Sequence, residues 1–355
     1  MKCSCQIKEL DTEDTVLAID VGGGTQDILI YNPCQEMENC FKLIMPSQTV
    51  IISKKIRKAT HTKKNIFLYG YLMGGGPSTK AIKDHLRAGL RVMAKEEAAK
   101  SIHDNLEKVN SMGVAVTDAF SGESEAIEMK DVDLTILSEV LRGFSLSLPR
   151  KFIIAVQDHG ECKEGSNRDF RFSLIKKFIQ DNGYINHLIY KEIPLEFTRM
   201  KSIQKYIPQA ILMDTGFAAV WGAICDHLVE REKERGVVIL NIGNQHTLGV
   251  LLKKDKIWGV FEEHTRNMDS EKLKSLIHKF VNGNLSHQEV FSAGGHGCFI
   301  NSLYQRNKGY ELVTVTGPKR EIAKNMGYYF ANPYGDMMLT GCYGLIRAAK
   351  ENRFI

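Results

Sequence analysis

Two stretches of this chain, 221 residues apart, carry the same pattern of apolar strand, tight glycine-bearing turn and apolar strand. The first, residues 15–31, reads Thr-Val-Leu-Ala-Ile-Asp-Val-Gly-Gly-Gly-Thr-Gln-Asp-Ile-Leu-Ile-Tyr. The second, residues 237–252, reads Val-Val-Ile-Leu-Asn-Ile-Gly-Asn-Gln-His-Thr-Leu-Gly-Val-Leu-Leu. Laid one over the other, Asn241 falls on Asp20 and Gly243 on Gly22. β-branched, apolar flanks favour strands, and glycine makes a positive φ cheap at the tip. A long-period repeat of this kind predicts a duplicated architecture. The 355 residues also exceed what one hydrophobic core usually organises, so two domains are expected.

The rest of the chain alternates strand and helix patterns, which indicates an α/β protein. Strands are expected at 40–45, 66–72, 113–117, 152–156, 210–213, 257–261, 290–293 and 312–315. Helices are expected at 79–94, 95–111, 134–142, 170–180, 218–234, 270–281, from 298, at 318–330 and at 336–350. The stripe Leu86, Leu90, Met93 reads as core on the first of these helices. The first domain is placed at residues 1–209, with the 336–350 helix returning to it, and the second at 210–335.

The turns suggest phosphate chemistry. Glycines let backbone N–H groups approach an anion. Gly22, Gly23, Gly24, Thr25 and Gln26 form the first expected cradle, and Asn241, Gly243 and Asn244 the second. Asp20, at the end of its strand, is suited to hold Mg²⁺ directly or through water, with Asp27 as a second carboxylate. Other phosphate motifs fail. No Gly-Lys pair exists for a Walker loop, and Gly22–Gly24 lead into a strand, not the helix that a dinucleotide fingerprint requires.

The segment Asp20–Asp27 resembles a phosphate loop of the actin, sugar kinase and heat-shock chaperone superfamily. Further landmarks follow in that superfamily's order. Residues 214–226, with Ala218-Ala219 and Gly222-Ala223, resemble its first connecting helix, and 241–247 its second phosphate loop. Residues 291–297, with Gly294-Gly295, resemble its adenosine loop. Residues 336–349, with Gly341 and Gly344, resemble its second connecting helix. The resemblance implies an α/β fold of two related domains of mixed β-sheet plus helices (the actin-like ATPase, ribonuclease H-like fold). It implies a cleft that holds ATP and Mg²⁺, with the adenine beside Gly294-Gly295. More narrowly, the chain is similar to a prokaryotic family labelled as pyruvate formate-lyase activating enzymes, a label that implies radical chemistry on a cysteine-held cluster. The sequence has no C-x-x-x-C-x-x-C cradle for it, and Asn241 stands where the superfamily's second loop usually has an aspartate.

The superfamily does not select one activity. A phosphotransferase or ATP hydrolase on a small cytoplasmic metabolite is the leading expectation. A nucleotide-driven activator of a partner enzyme, or a non-catalytic ligand-binding member, are the alternatives. Chemistry is expected near Asp158, His159 and Asp214, which follow apolar strands, where an α/β sheet presents groups to a crevice. Asp214 is the expected base and His159 the second choice. His246 and His264 sit at two further strand ends and suggest a shared catalytic or metal cluster. Gly74–Lys80 is a second candidate anion site, a glycine turn feeding a helix. Cys3/Cys5 and Cys34/Cys40 are metal candidates among eight cysteines that otherwise read as scattered thiols. A net charge of +5 is too mild for a nucleic-acid binder, and no apolar stretch reaches membrane-span length. No secretory signal is read at the N-terminus. A cytoplasmic protein is expected, bound to no membrane, with homodimerisation left open.

Overall fold

A computed structural model describes residues 14–120, 122–162, 164–305 and 309–355. The chain opens with strands β1 (Val16–Val21), β2 (Thr25–Tyr31) and β3 (Phe41–Pro46), then helix α1 (Gln48–His61). It continues through β4 (Ile66–Gly70), α2 (Pro77–Arg87), β5 (Val92–Ala94), α3 (Glu96–Lys100), α4 (Leu106–Ser111), β6 (Val114–Val116) and β7 (Glu125–Met129). Next come α5 (Leu134–Gly143), β8 (Lys151–Val156), α6 (Asn167–Asp181), β9 (Ile189–Tyr190), α7 (Thr198–Tyr206) and β10 (Ile211–Met213). Two helices follow, α8 (Thr215–Ile224) and α9 (His227–Glu232), leading into β11 (Val237–Ile242), β12 (His246–Lys253) and β13 (Lys256–His264). The remainder is α10 (Ser270–Val281), α11 (His287–Ser292), β14 (Gly297–Ile300), β15 (Leu312–Thr316), β16 (Tyr329–Phe330) and α12 (Thr340–Glu351).

These strands build two six-stranded sheets on one plan. In the first the order is β3-β2-β1-β8-β10-β9, and in the second β14-β13-β12-β11-β15-β16. Each sheet holds a three-stranded antiparallel meander, β1-β2-β3 or β11-β12-β13. In each, the meander's first strand pairs in parallel with a later strand, β8 or β15, which has a further parallel neighbour, β10 or β16. This is the duplicated mixed α/β build that the repeated hairpins predict. The first sheet runs on through Met213, and the second begins at Val237. A third, four-stranded parallel sheet, β6-β5-β4-β7, is inserted between β3 and β8 with its own core around Ile52, Ile56, Leu68 and Ile127.

Helices α8 and α12 cross between the sheets. Every residue of α8 from Gly216 to Ile224 is buried, as befits a helix apolar on all sides. Glycine allows the crossing: a Cβ on Gly222 would overlap the Thr340 carbonyl oxygen, and one on Gly344 the Ala218 carbonyl oxygen. Helix α12 also packs on β1, β2 and β8, with the Cys342 thiol on the carbonyls of Ala18 and Asp27.

Several local expectations are corrected. The 79–94 helix stops at Arg87, and Val92–Ala94 is strand β5 beside β4. Leu86, Leu90 and Met93 are all only partly buried, and of the three Leu86 packs on the insert's core. The 95–111 helix is two short helices, α3 and α4. The 218–234 helix breaks at Cys225-Asp226, where Asp226 caps α9. Residues 290–293, expected as strand, close helix α11, and the helix expected from 298 is instead strand β14, which starts at Gly297. Only a single 3-10 turn at Arg320–Ala323 and strand β16 occupy the expected 318–330 helix. Helix α1 is absent from the sequence expectations. Among the described residues no helix is long and apolar enough to cross a membrane.

Candidate functional site

The two hairpins have the same turn. Gly22 N–H donates to Thr25 O at 2.9 Å, and Gly243 N–H donates to His246 O at 2.9 Å. The strand pairs end alike, Val21 opposite Gln26 and Ile242 opposite Thr247. The turns meet tip to tip. A Cβ on Gly24 would lie 3.0 Å from Asn244 Nδ2, and one on Gly23 would run into the Gln245 side chain. Gln245 also reaches Gly76 of the inserted domain. Around this junction lie two cavities of about 290 and about 90 Å³, which share Gly22, Gly23, Thr215, Asn241, Gly243 and Asn244.

The smaller cavity contains the carboxylates of the first hairpin. Asp20 and Asp27 are cross-strand partners. Thr215 Oγ1 donates to Asp20 Oδ1 at 2.5 Å, and the other Asp20 oxygen rests on the bare Cα of Gly341. Burial, outweighing the Thr215 hydrogen bond and reinforced by Asp214, pushes the Asp20 carboxyl up to about 7. Burial and the neighbouring Asp20 push Asp27 to about 8. Asp27 Oδ1 is buried without a hydrogen-bond partner. Such a pair lacks positive charge, and a cation fits its donor set. Gln26 is fully buried and donates to Pro46 O, so it stiffens the hairpin. Thr25 lines the cavity.

The loop that reaches this cavity from the second sheet is Thr316-Gly317-Pro318, after β15. Gly317 has φ +100°, and a Cβ there would come within 2.7 Å of Asn241 Oδ1. Gly294 and Gly295 line neither cavity. They close helix α11, with Gly295 N–H on Val290 O and Arg168 on Gly295 O. The expected adenosine loop therefore lies at the β13–β14 edge, because the glycine pair serves as a helix stop.

The larger cavity is bounded by the inserted domain. Gly74–Gly76 lead into α2, which begins with Pro77 at its first turn. Lys80 is exposed and does not line the cavity, so the expected basic partner of that glycine turn is elsewhere. Lys100 and Arg199 line it instead. Lys100 pairs with Glu161 at 3.4 Å, and Arg199 grips Asp131 through two nitrogens at 2.7 Å each.

Asp158 and Asp214 lie where the β8 and β10 strands end, but both are committed. Asp214 accepts from Arg171 at 2.7 and 3.1 Å, from Gly216 N at 3.0 Å as the cap of α8, and from Asp158 N at 3.3 Å. A carboxylate with four donors has no lone pair to spare for a substrate proton, which corrects its expected role as the base. Asp158, raised to about 6 chiefly by burial, accepts from Gly160 N and Met200 N and so fixes the turn and helix α7.

Arg171 on α6 is the residue the sequence did not single out. It is buried, and joins Asp214 to Glu262 of β13, 2.7 Å from Nε. Glu262 also accepts from Gln157 at 2.5 Å. Although burial opposes its charge, Arg171 and the nearby histidines hold the Glu262 carboxyl well below the usual range. The ion pairs thus span both large sheets. Around Glu262 gather His159, His246, His264 and a fourth ring, His296. His246 lies 4.7 Å from His296 and 5.0 Å from His264 between centroids, and His159 lies 5.1 Å from His296. Burial lowers the basicity of His159, His264 and His296, the last to about 3. The strand-end pattern exposed the first three histidines. His296 was readable only as part of a glycine loop, and Glu262 only as the first of two acids after an apolar strand.

Among the described residues the cysteines do not assemble. Cys34 is exposed, and the buried Cys40 thiol bonds to the carbonyls of Asn32 and Glu36. Among the described residues no three cysteines converge, so an iron–sulfur cradle does not fit them. Cys3 and Cys5 lie outside the described residues.

Among solved structures, the chain is similar to a Bacteroides thetaiotaomicron protein with actin-like ATPase fold and unknown function, at 8% identity and TM-score 0.38, covering 96% of this chain and 99% of that one. It is similar to the activator of the 2-hydroxyisocaproyl-CoA dehydratase from Clostridium difficile with bound ADPNP, at 11% identity and TM-score 0.33, covering 96% and 98%. It is also similar to the ethanolamine utilization protein EutJ from Carboxydothermus hydrogenoformans, at 10% identity and TM-score 0.29, covering 93% and 88%. No curated protein matches the sequence. A family profile matches residues 73–322, more than half of the chain, and the protein therefore belongs to the family described as "Putative pyruvate format-lyase activating enzyme (DUF1786)".

Proposed function

We propose that the chain binds ATP or a related phosphoanhydride with Mg²⁺ and acts as a phosphotransferase or ATP hydrolase on a small cytoplasmic metabolite. The observation that supports this most is the tip-to-tip meeting of the 22–25 and 243–246 turns beside the Asp20–Asp27 pair, in which Asp27 Oδ1 is buried without a partner. Glycine backbone lets phosphate oxygens approach, and Asp20 and Asp27 would hold the cation. Magnesium supplies neutralisation of phosphate charge when bound. Thr215 orients Asp20, and Asn241 offers an amide where a second charge is usual. The Thr316-Gly317 loop is the surface best placed to receive the nucleoside. Gly74–Gly76, Lys100 and Arg199 face the space left for a second substrate. Asp158 and Asp214 act as positioning residues, through the α7 start and Arg171. His159 lines the cleft beside the second turn.

A second reading, a nucleotide-driven activator, draws on the Arg171 bridge, because one buried guanidinium ties elements of both large sheets and would report their movement. Calorimetry with Mg-ATP on the native protein and on Asp20→Ala separates binding from its absence. Loss of metal-dependent affinity in a variant that still melts cooperatively is expected. Equal affinity in both proteins would remove Asp20 from the site. Phosphate release with bound nucleotide supports the enzyme, and binding without turnover supports the activator.

A further inference from the structure

We propose that His159, His246 and His296 form a binding site for a divalent first-row transition metal, distinct from the Asp20–Asp27 cation site and independent of the nucleotide reading. One nitrogen of each ring lies within 4.8 Å of the others, and this is the one such donor group among the described residues. At that limit, a point between three nitrogens is about 2.8 Å from each, and ring rotation of under an ångström brings it to the ~2.0–2.1 Å of a metal–imidazole bond. The site is assembled from three places. His159 follows β8 of the first sheet, His246 closes the turn before β12, and His296 precedes β14.

Three features select a metal over a hydrogen-bonded cluster. The Nδ1 atom of His296 is buried with no hydrogen-bond partner, in a residue only 2% exposed. Imidazole nitrogen is a favoured ligand of first-row divalent ions, and each of the three rings offers one such nitrogen to the shared space. Glu262 Oε1 stands 3.0 Å from His246 Nδ1, in position to orient that ring as an outer carboxylate and leave its Nε2 for the ion, whereas His296 Nδ1, 3.9 Å away, stays free to ligate. The charge around the site is favourable as well. Arg171 is outnumbered by its two carboxylate partners, Asp214 and Glu262.

Three nitrogen ligands suit zinc or iron(II), whereas magnesium prefers oxygen. They leave a fourth position open, and His159 and His246 both line the larger cavity, so that position faces the cleft. A metal there would hold a water or a substrate oxygen beside the second turn.

The test uses the full chain stripped with a chelator and titrated with Co²⁺ as a spectroscopic probe. A visible d–d band that saturates at one ion per chain is expected, with displacement by Zn²⁺. His246→Asn, on a partly buried ring outside the hydrophobic core, should lose the band, and His159→Asn should do the same. Glu262→Gln should keep the band but bind roughly 10–100-fold more weakly. Asp20→Asn should retain it, which separates this site from the magnesium site. No saturable band in the native protein, or one unchanged in His246→Asn and His159→Asn, overturns the proposal. Circular dichroism of each variant confirms that a lost band is not a lost fold.

Discussion

Gly344→Ala should destabilise the protein, although alanine is the better helix former. In an open helix, replacing glycine by alanine gains up to about 1 kcal/mol. Gly344 is not open. Its Cβ would overlap the Ala218 carbonyl oxygen and lie 2.5 Å from Gly222 N and 2.9 Å from Trp221 Cβ. The obstacles are largely backbone of α8, which cannot rotate away, so α8 and α12 must separate. Overpacking of this kind costs about 1–3 kcal/mol, and more where backbone is the obstacle. After the propensity gain is subtracted, a net loss of about 2 kcal/mol remains, a few degrees in Tm for a chain this long. Gly143→Ala is the matched control. It ends α5 with nothing within 4 Å of its Cβ, and should be neutral or stabilising. Urea and thermal melts of both variants read the difference. Two shifts of the same sign would refute a backbone contact between α8 and α12.

Two further perturbations probe the site. Arg171→Met leaves Asp214 and Glu262 buried without their cation and should cost about 3–5 kcal/mol by thermal or urea melting; a loss under 1 kcal/mol would mean that the bridge is not buried. Gly341→Ala places a methyl on the Asp20 oxygen without touching any charge. Calorimetry should show weaker magnesium-dependent nucleotide binding with little change in the metal-free protein, and unaltered binding would show that Asp20 does not need that space.

The hairpins were legible because apolar alternation around a glycine tip leaves few other folds, and their 221-residue offset survives in the turn hydrogen bonds. Helix α1 was hidden. Its buried positions Ile52, Ile56 and Ala59 have helical spacing, but it opens on the β-branched run Thr49-Val50-Ile51-Ile52, whose helix propensity is weak. Strand β5 was lost for the converse reason, since Leu86, Leu90 and Met93 happen to share a helical period. The Gly-Gly pair at 294–295 looked like a nucleotide loop, yet a helix stop needs the same residue. The Arg171–Glu262 pair, 91 residues apart, has no local signature, because only the packing of the two sheets brings it together.

The place of α12 has a consequence for synthesis. This helix covers Ala18 and Leu29 on the first sheet, yet it starts at Thr340 while β1 ends at Val21. At ~5–20 residues per second, a ribosome needs roughly 15–65 s to make the intervening chain. During that interval the first sheet has an uncovered apolar face, and the usual order, in which an N-terminal domain folds while the rest is still being made, is closed to it. The nascent chain must be shielded until α12 emerges, so its yield should depend on chaperone capacity more steeply than that of a protein whose domains are contiguous in sequence.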